Sequence, residues 1–157
     1  MRKAEAKIQK EAERDEIEQK LVEIKRVTRV TAGGKKLSFR ACMVVGDKNG
    51  RVGIGTAKGK DVAIAIGKAV NKAKKNMISV PIVNETIPHE IEEKFKAAKI
   101  LLKPARRGRG VIAGGPIRLV LELAGVQNIV SKMLGSHNKM NNIKATINAL
   151  KKFEVKK

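Results

Sequence analysis

The sequence predicts two small α/β domains of the α+β kind, the first β-β-β-α and the second β-β-α-β-α. Three observations carry this. Stretches with a two-residue apolar period end at glycine turns, stretches with helical spacing begin at capping residues, and a connector bracketed by Pro81 and Pro88 separates the two sets. Residues 1–20 stand apart as a charged N-terminal arm, residues 21–80 make the first domain and residues 81–157 the second.

The arm is rich in Ala, Glu and Lys, with Ile8 and Ile17 too few to build an apolar face. It reads as a solvated helix or a loose segment. From Val22 the period changes to two. Val22 to Val30 is the first strand, its alternation interrupted around Lys25-Arg26 as a bulge would interrupt it. Leu37, Phe39, Ala41, Met43 and Val45 alternate with Ser38, Arg40, Cys42 and Val44, which predicts a partner strand with one core face. Gly33-Gly34 lies between them, where a turn needs positive φ without steric cost. Asn49-Gly50 marks the next turn, and Val52, Ile54 and Thr56 make a third strand. Asp61 then caps a helix with Val62, Ile66, Ala69, Val70 and Ala73 on one face and Lys68, Lys72 and Lys75 on another.

The connector contains Val83-Asn84-Glu85, and β-type residues at Ile87 to Ile91 and at Lys99 to Lys103 predict two further strands. Pro104 to Gly110 is a cationic, flexible loop. Gly114-Gly115-Pro116 opens a helix, proline being preorganised for a first turn, and Ile117, Val120, Leu121 and Ala124 line one side of it. Asn128 to Leu134 is a last strand, and Asn138 caps a final helix that points Met140, Ile143, Ile147 and Leu150 inward.

A chain of 157 residues, 42% hydrophobic, can bury a real core. Its 35 basic and 15 acidic residues leave a net charge of +20. Residues 1–20 hold six of each sign, so the whole surplus lies in residues 21–157. Such a surplus repels itself, and a polyanion is its natural partner. The lone Cys42 sits in the apolar run Ala41 to Val45 and reads as a buried thiol. No apolar run approaches the roughly 20 residues of a membrane span, and Met1 to Glu5 lead into charges rather than a signal-peptide core. A soluble intracellular protein is expected, with no membrane partner.

Enzymatic chemistry finds little purchase. In Gly53-Ile54-Gly55-Thr56-Ala57-Lys58-Gly59-Lys60-Asp61 the glycine spacing misses both the nucleotide and the dinucleotide loops, and Asp61 stands where a magnesium-binding hydroxyl belongs. What remains is either a phosphate cradle at a helix N-terminus or a plain strand-to-helix turn. His89 and His137 lack cysteine neighbours, so no metal site is expected, and Glu90, Glu92 and Glu93 sit beside Lys94 and Lys96 as a solvated edge. No catalytic residue and no cofactor is predicted. Aromatics are 2% of the chain, too few for base-stacking platforms. Lysine, arginine, asparagine and close glycine backbone suit phosphates and helical shape. Folded RNA and DNA-architectural binding both fit that toolkit.

The stretches RVTRVTAGGKKLSF (26–39), VVGDKNGRVGIGTAKG (44–59), KKNMISVPI (74–82), GVIAGGPIRLVLELAGV (110–126) and GSHNKMNNIKATINAL (135–150) together resemble the bacterial ribosomal protein S-five family of the small subunit, over about Leu21 to Phe153. The resemblance implies a double-stranded-RNA-binding-like first domain. It implies a second domain of the type shared with small-molecule kinases, with a left-handed crossover. It also implies binding to 16S ribosomal RNA and to small-subunit proteins four and eight, a place in the region through which mRNA enters, and an influence on decoding accuracy. The loop Thr31 to Lys36 would lie near the spectinomycin site. The compartment would be the cytoplasm, or a plastid. The sequence departs from the family pattern at Leu37, Arg107, Arg109, Lys139 and Asn142.

The residues expected to bind RNA are Arg26, Thr28, Arg29, Gly33, Gly34, Lys35 and Lys36 around the hairpin, and Lys48 and Arg51 at the second turn. Lys58 and Lys60 precede the first helix, Arg106, Arg107 and Arg109 lie in the cationic loop, and Asn138 stands at the last helix start. Arg118 is either a contact to protein four, as the resemblance implies, or simply solvated on its helix flank.

Overall fold

The computed structural model describes residues 17–153. The reading of the arm as helix or loose segment therefore lies outside the described residues, apart from its last few positions. Strands β1 (Glu18–Thr31), β2 (Gly34–Gly46), β3 (Arg51–Gly59) and β4 (Met77–Ser79) form an antiparallel sheet in that order, with helix α1 (Val62–Lys75) between β3 and β4. Strands β5 (Ile91–Phe95), β6 (Ala98–Pro104), β7 (Val111–Ile112) and β8 (Ile129–Met133) form a second sheet in the order β5-β6-β8-β7. Helix α2 (Gly115–Ala124) joins β7 to β8, which run parallel, and α3 (Lys139–Lys151) is the last described element. The architecture is two α/β domains, an antiparallel sheet followed by a mixed one.

Several details differ from the sequence expectation. β1 starts at Glu18, and its bulge falls between Leu21 and Glu23 rather than at Lys25-Arg26. The hairpin turn is Ala32-Gly33, and Gly34 (φ 137°) is the first residue of β2. Short strands β4 and β7 have no counterpart in the sequence reading, because three and two residues carry no readable period. The strand expected at Ile87 to Ile91 lies instead at Ile91–Phe95, and Ile87, 1% exposed, serves as a buried plug in the connector.

The largest difference concerns β2, which has two core faces. Ala41 and Met43 face α1, packing with Ala65 and Ala69. Val44 faces the other way, into a core continuous with Val52, Leu121, Leu123, Ile143 and Leu150. The helices of the second domain thus pack on the first sheet as well as on their own. The seam is tight: a Cβ on Gly46 would lie 2.2 Å from the Leu123 carbonyl oxygen, and one on Gly125 would lie 2.0 Å from that of Lys48. The amides of Lys48 and Gly50 donate to the carbonyls of Leu123 and Ala124 at 3.0 and 2.9 Å, closing the end of α2 against the β2–β3 turn. The run Ala41 to Val45 is the continuous apolar stretch expected of a strand covered on both faces.

Candidate nucleic-acid interface

β1 and β2 outrun both cores. From Thr28 to Leu37 every residue is exposed, and the pairs Thr28–Leu37, Arg29–Lys36, Val30–Lys35 and Thr31–Gly34 continue the ladder to the turn. With no described residue packed beneath it, the hairpin leaves Val30 74% and Leu37 55% exposed. Thr31 Oγ1 donates to the Gly34 carbonyl at 2.8 Å, bracing the turn. A Cβ on Gly33 would meet nothing within 4 Å, and its φ lies outside the left-handed region. Packing therefore does not require glycine there, whereas close approach by another molecule would.

Cross-strand register sorts the cations. Residues directly opposite one another share a face of a sheet. Lys25 pairs with Arg40 and Arg40 with Lys58, a row of three cations across β1, β2 and β3. Arg29 and Lys36 lie opposite each other further out on that same face, the one turned away from α1. Arg26 and Lys35 project to the other side of the hairpin, and Lys60 stands just before α1. Lys25 reaches Glu23 at 3.3 Å. Among the described residues no carboxylate lies within ion-pair distance of Arg26, Arg29, Lys35, Lys36, Arg40, Lys58 or Lys60. Like charges directly opposite are destabilising in a sheet, so the arrangement favours a bound polyanion over the free protein. Sequence reasoning misses Lys25 and Arg40, because only the register reveals their row.

The remaining candidates lie elsewhere. Lys48 and Arg51 sit seven residues or more down the strands from Lys58, roughly 20 Å away at 3.3 Å per residue. Lys48 is ion-paired with Glu18, and Arg51 Nε donates to Asp47 Oδ2 at 2.6 Å. Asp47, its side chain only 3% exposed, also accepts the amides of Asn49 and Arg51 at 2.9 Å. Burial alone would raise its carboxyl, but the Arg51 side chain and these two amides outweigh it and hold it below the usual range. These two cations are thus part of the turn that seats α2.

The loop of Arg106, Arg107 and Arg109 is tied at both ends rather than free. The Ala105 amide donates to Thr86 Oγ1 at 3.3 Å, and the Gly110 amide to Asn128 Oδ1 at 3.1 Å. Asn128 is buried, and its Nδ2 reaches Glu85 Oε2 at 3.3 Å. All three arginines remain exposed, with Arg107 lying 3.8 Å from Glu85. Asn128 and Glu85 are organising residues that no sequence motif marks.

Asn138 accepts the amides of Met140 and Asn141 at 3.1 and 3.4 Å, so its side chain caps α3, which begins as expected despite Lys139 and Asn142. Arg118 Nε bonds Glu122 Oε1 at 2.7 Å, and Lys20 bonds Glu122 Oε2 at 2.9 Å, linking β1 to α2. The Lys20 bond first, and Arg118 second, lower the Glu122 carboxyl below its usual range.

The glycine-rich segment 53–59 resolves in favour of packing. It is strand β3, and a Cβ on Gly53, Gly55 or Gly59 would meet the backbone of α1 at 2.4, 1.9 or 2.7 Å, beside Ala73, Ala69 and Ala65 respectively. These glycines let a helix with an alanine face lie directly on the sheet. No cluster of metal-binding side chains occurs among the described residues, and no described helix is long and apolar enough to cross a membrane.

Sequence comparison accounts for this arrangement. The profile of ribosomal protein S5, N-terminal domain, matches residues 17–81, and that of its C-terminal domain matches residues 93–156. The chain is 52% identical over 146 residues to small ribosomal subunit protein uS5 of Thermotoga neapolitana, covering 93% of this chain and 82% of that protein. It is 52% identical over 144 residues to the uS5 protein of Thermotoga maritima, covering 92% and 81%. Two α/β domains packed on each other and a protruding cationic hairpin suit a scaffold protein, and the chain belongs to the ribosomal protein S5 family, a structural constituent of the small ribosomal subunit and not an enzyme.

Proposed function

We propose that the chain binds 16S ribosomal RNA chiefly through the β1–β2 hairpin and the cation row at its root. A second contact runs through the tied loop of Arg106, Arg107 and Arg109. The observation that carries this is the hairpin itself, exposed at every residue from Thr28 to Leu37, with cations that no described carboxylate neutralises. Its backbone approaches a phosphate closely at Gly33 and Gly34, while Arg26, Thr28, Arg29, Lys35 and Lys36 engage phosphate and sugar on either side. Lys58 and Lys60 extend the surface. Lys48, Arg51 and Asn138 contribute mainly by holding the backbone in place.

The partner face is the Arg118 flank of α2, beside an apolar hollow of ≈ 380 Å³ lined by Val22, Pro116 and Leu119. Small-subunit proteins four and eight are the partners proposed for this side of the molecule, with support for assembly, for the region through which mRNA enters and for decoding accuracy. The site of action is the small subunit in the cytoplasm.

The test compares two triple variants in binding to structured ribosomal RNA over a salt series. Arg29, Lys35 and Lys36 to alanine should lower the slope of log affinity against log salt by about one unit for each phosphate left without its cation. Lys7, Lys10 and Arg14 to alanine, in the charge-balanced arm, should change little. An arm variant that weakens binding more than the hairpin variant refutes this placement of the surface. Free chain that does not co-sediment with small subunits, or does so after RNA digestion, refutes the RNA-mediated role.

A further inference from the structure

We infer that the outward face of α1 is a second RNA-contacting surface, on the side of the first sheet opposite the cation row, so that the first domain is held between two RNA segments instead of lying on one. This rests on the function proposed above and adds a further segment of the same partner. Ala65, Ala69 and Ala73 are the buried residues of α1. With 3.6 residues per turn, Ile64, Gly67, Lys68, Asn71, Lys74 and Lys75 lie on the half of the helix turned away from them. All six are exposed, Ile64 by 49%. Lys72 is exposed on the flank.

The helix carries four lysines and no acidic residue. Among the described residues no carboxylate lies within ion-pair distance of Lys68, Lys72, Lys74 or Lys75. Lys68 and Lys72 stand four residues apart and Lys72 and Lys75 three, spacings at which like charges repel. The helix dipole favours cations in the last turn, which holds Lys72, Lys74 and Lys75, but its effect ends there and does not account for Lys68. Gly67 is an independent observation. It stands mid-helix, where only proline is less favourable, and a Cβ there would meet nothing within 4 Å beyond the helix itself. Packing on the sheet requires Gly53, Gly55 and Gly59, but nothing in the described fold requires Gly67. A bare backbone beside Lys68, Asn71 and Lys74 lets another molecule come close. Protein interfaces are depleted in lysine and enriched in arginine and aromatic residues, and this face has lysines and neither of the others. It therefore fits a phosphate backbone, contacted for position and not for base sequence. The Lys25–Arg40–Lys58 row lies on the sheet face turned away from α1. The sheet and a helix about 10 Å across separate the two surfaces. A duplex lying against one cannot reach the other, which is why two segments are needed.

The test is a salt series and hydroxyl-radical footprinting of the full chain on 16S ribosomal RNA. It compares a variant with Lys68, Lys74 and Lys75 changed to glutamine, which keeps helix propensity and removes charge, with the hairpin triple variant. The α1 variant should lower the salt slope by about one unit for each cation that meets a phosphate. It should lose protection of one RNA segment, and the hairpin variant should lose a different one. Gly67→Gln, which puts a side chain into the open approach, should weaken binding while raising the melting temperature by about 2 °C, so that lost binding is not lost folding. An α1 variant with unchanged slope and footprint, or a Gly67→Gln protein that binds like the parent, overturns the surface. Loss of the same segment in both triple variants overturns the two-segment arrangement. Unchanged RNA binding together with failure of the α1 variant to join assembled small subunits indicates an acidic protein partner and also overturns it. A hairpin variant without effect beside an α1 variant with its full effect refutes only the hairpin placement, so the two readings fail separately.

Discussion

Replacing Gly55 by alanine adds one methyl group at the closest approach of α1 to its sheet. The new Cβ would stand 1.9 Å from the Ala69 carbonyl oxygen and 2.6 Å from the Ala73 amide nitrogen. Ordinary contact begins near 3.4 Å, so the helix must lift by about 1.5 Å. Both obstructing atoms are backbone, and no rotamer change relieves them. Lifting α1 also opens space above Ala41 and Met43, which pack on Ala65 and Ala69. Overpacking of a well-filled core costs about 1–3 kcal/mol and occasionally more; a backbone clash belongs at the upper end, about 3 kcal/mol. For a chain of this size each kcal/mol shifts the melting temperature by about 2–4 °C, so a fall of about 6–12 °C is expected. The assay is thermal unfolding followed by far-UV circular dichroism. Gly33→Ala, where a Cβ meets nothing within 4 Å, serves as comparator and should melt within about 1 °C of the parent. A Gly55→Ala protein melting within about 2 °C of the parent would refute the reasoning, because the helix would then tolerate a methyl group in a space where none fits.

Three further outcomes are expected. Asp47 and Glu122 are both held below their usual values, so their stabilising effect is present above those values and disappears as pH falls through the lowered ones. The melting temperature should drop on acidification below 3.8, and Asp47→Asn should melt lower at neutral pH with a shallower acid drop; an unchanged acid profile contradicts the assignment. Arg40→Thr removes the centre of the Lys25–Arg40–Lys58 row. It should raise stability by about 0.2–1 kcal/mol while lowering the RNA salt slope by about one unit, and a variant that is both less stable and equally good at binding RNA speaks against the row as an interface. Burial pushes the Cys42 thiol up to about 11, so it should resist a thiol reagent at pH 8 in the native protein and react fully in denaturant. Rapid native labelling would mean that this strand is not sandwiched.

Much of the molecule is written locally. Period-two alternation, the capping residues Asp61 and Asn138, and Pro116 at a first turn announce β1, β2, β3 and the three described helices, because each depends on neighbours within a few residues. Charge and the shortage of aromatics point to phosphate recognition for the same reason: both are properties of composition. The Lys25–Arg40–Lys58 row is not local, since its members come from three strands and meet only through register. Nor is the role of Gly53, Gly55 and Gly59, whose spacing suggests a loop until α1 is seen lying on them. The sequence by itself determined two α/β units and a cationic, non-catalytic surface. Only the tertiary structure decided that Val44 and Val52 share a core with α2 and α3, and that Lys48 and Arg51 face acidic partners while no described carboxylate pairs with the hairpin cations. The physical reason is that burial and ion pairing depend on which distant segments meet, and a residue's neighbours in sequence do not specify its neighbours in space.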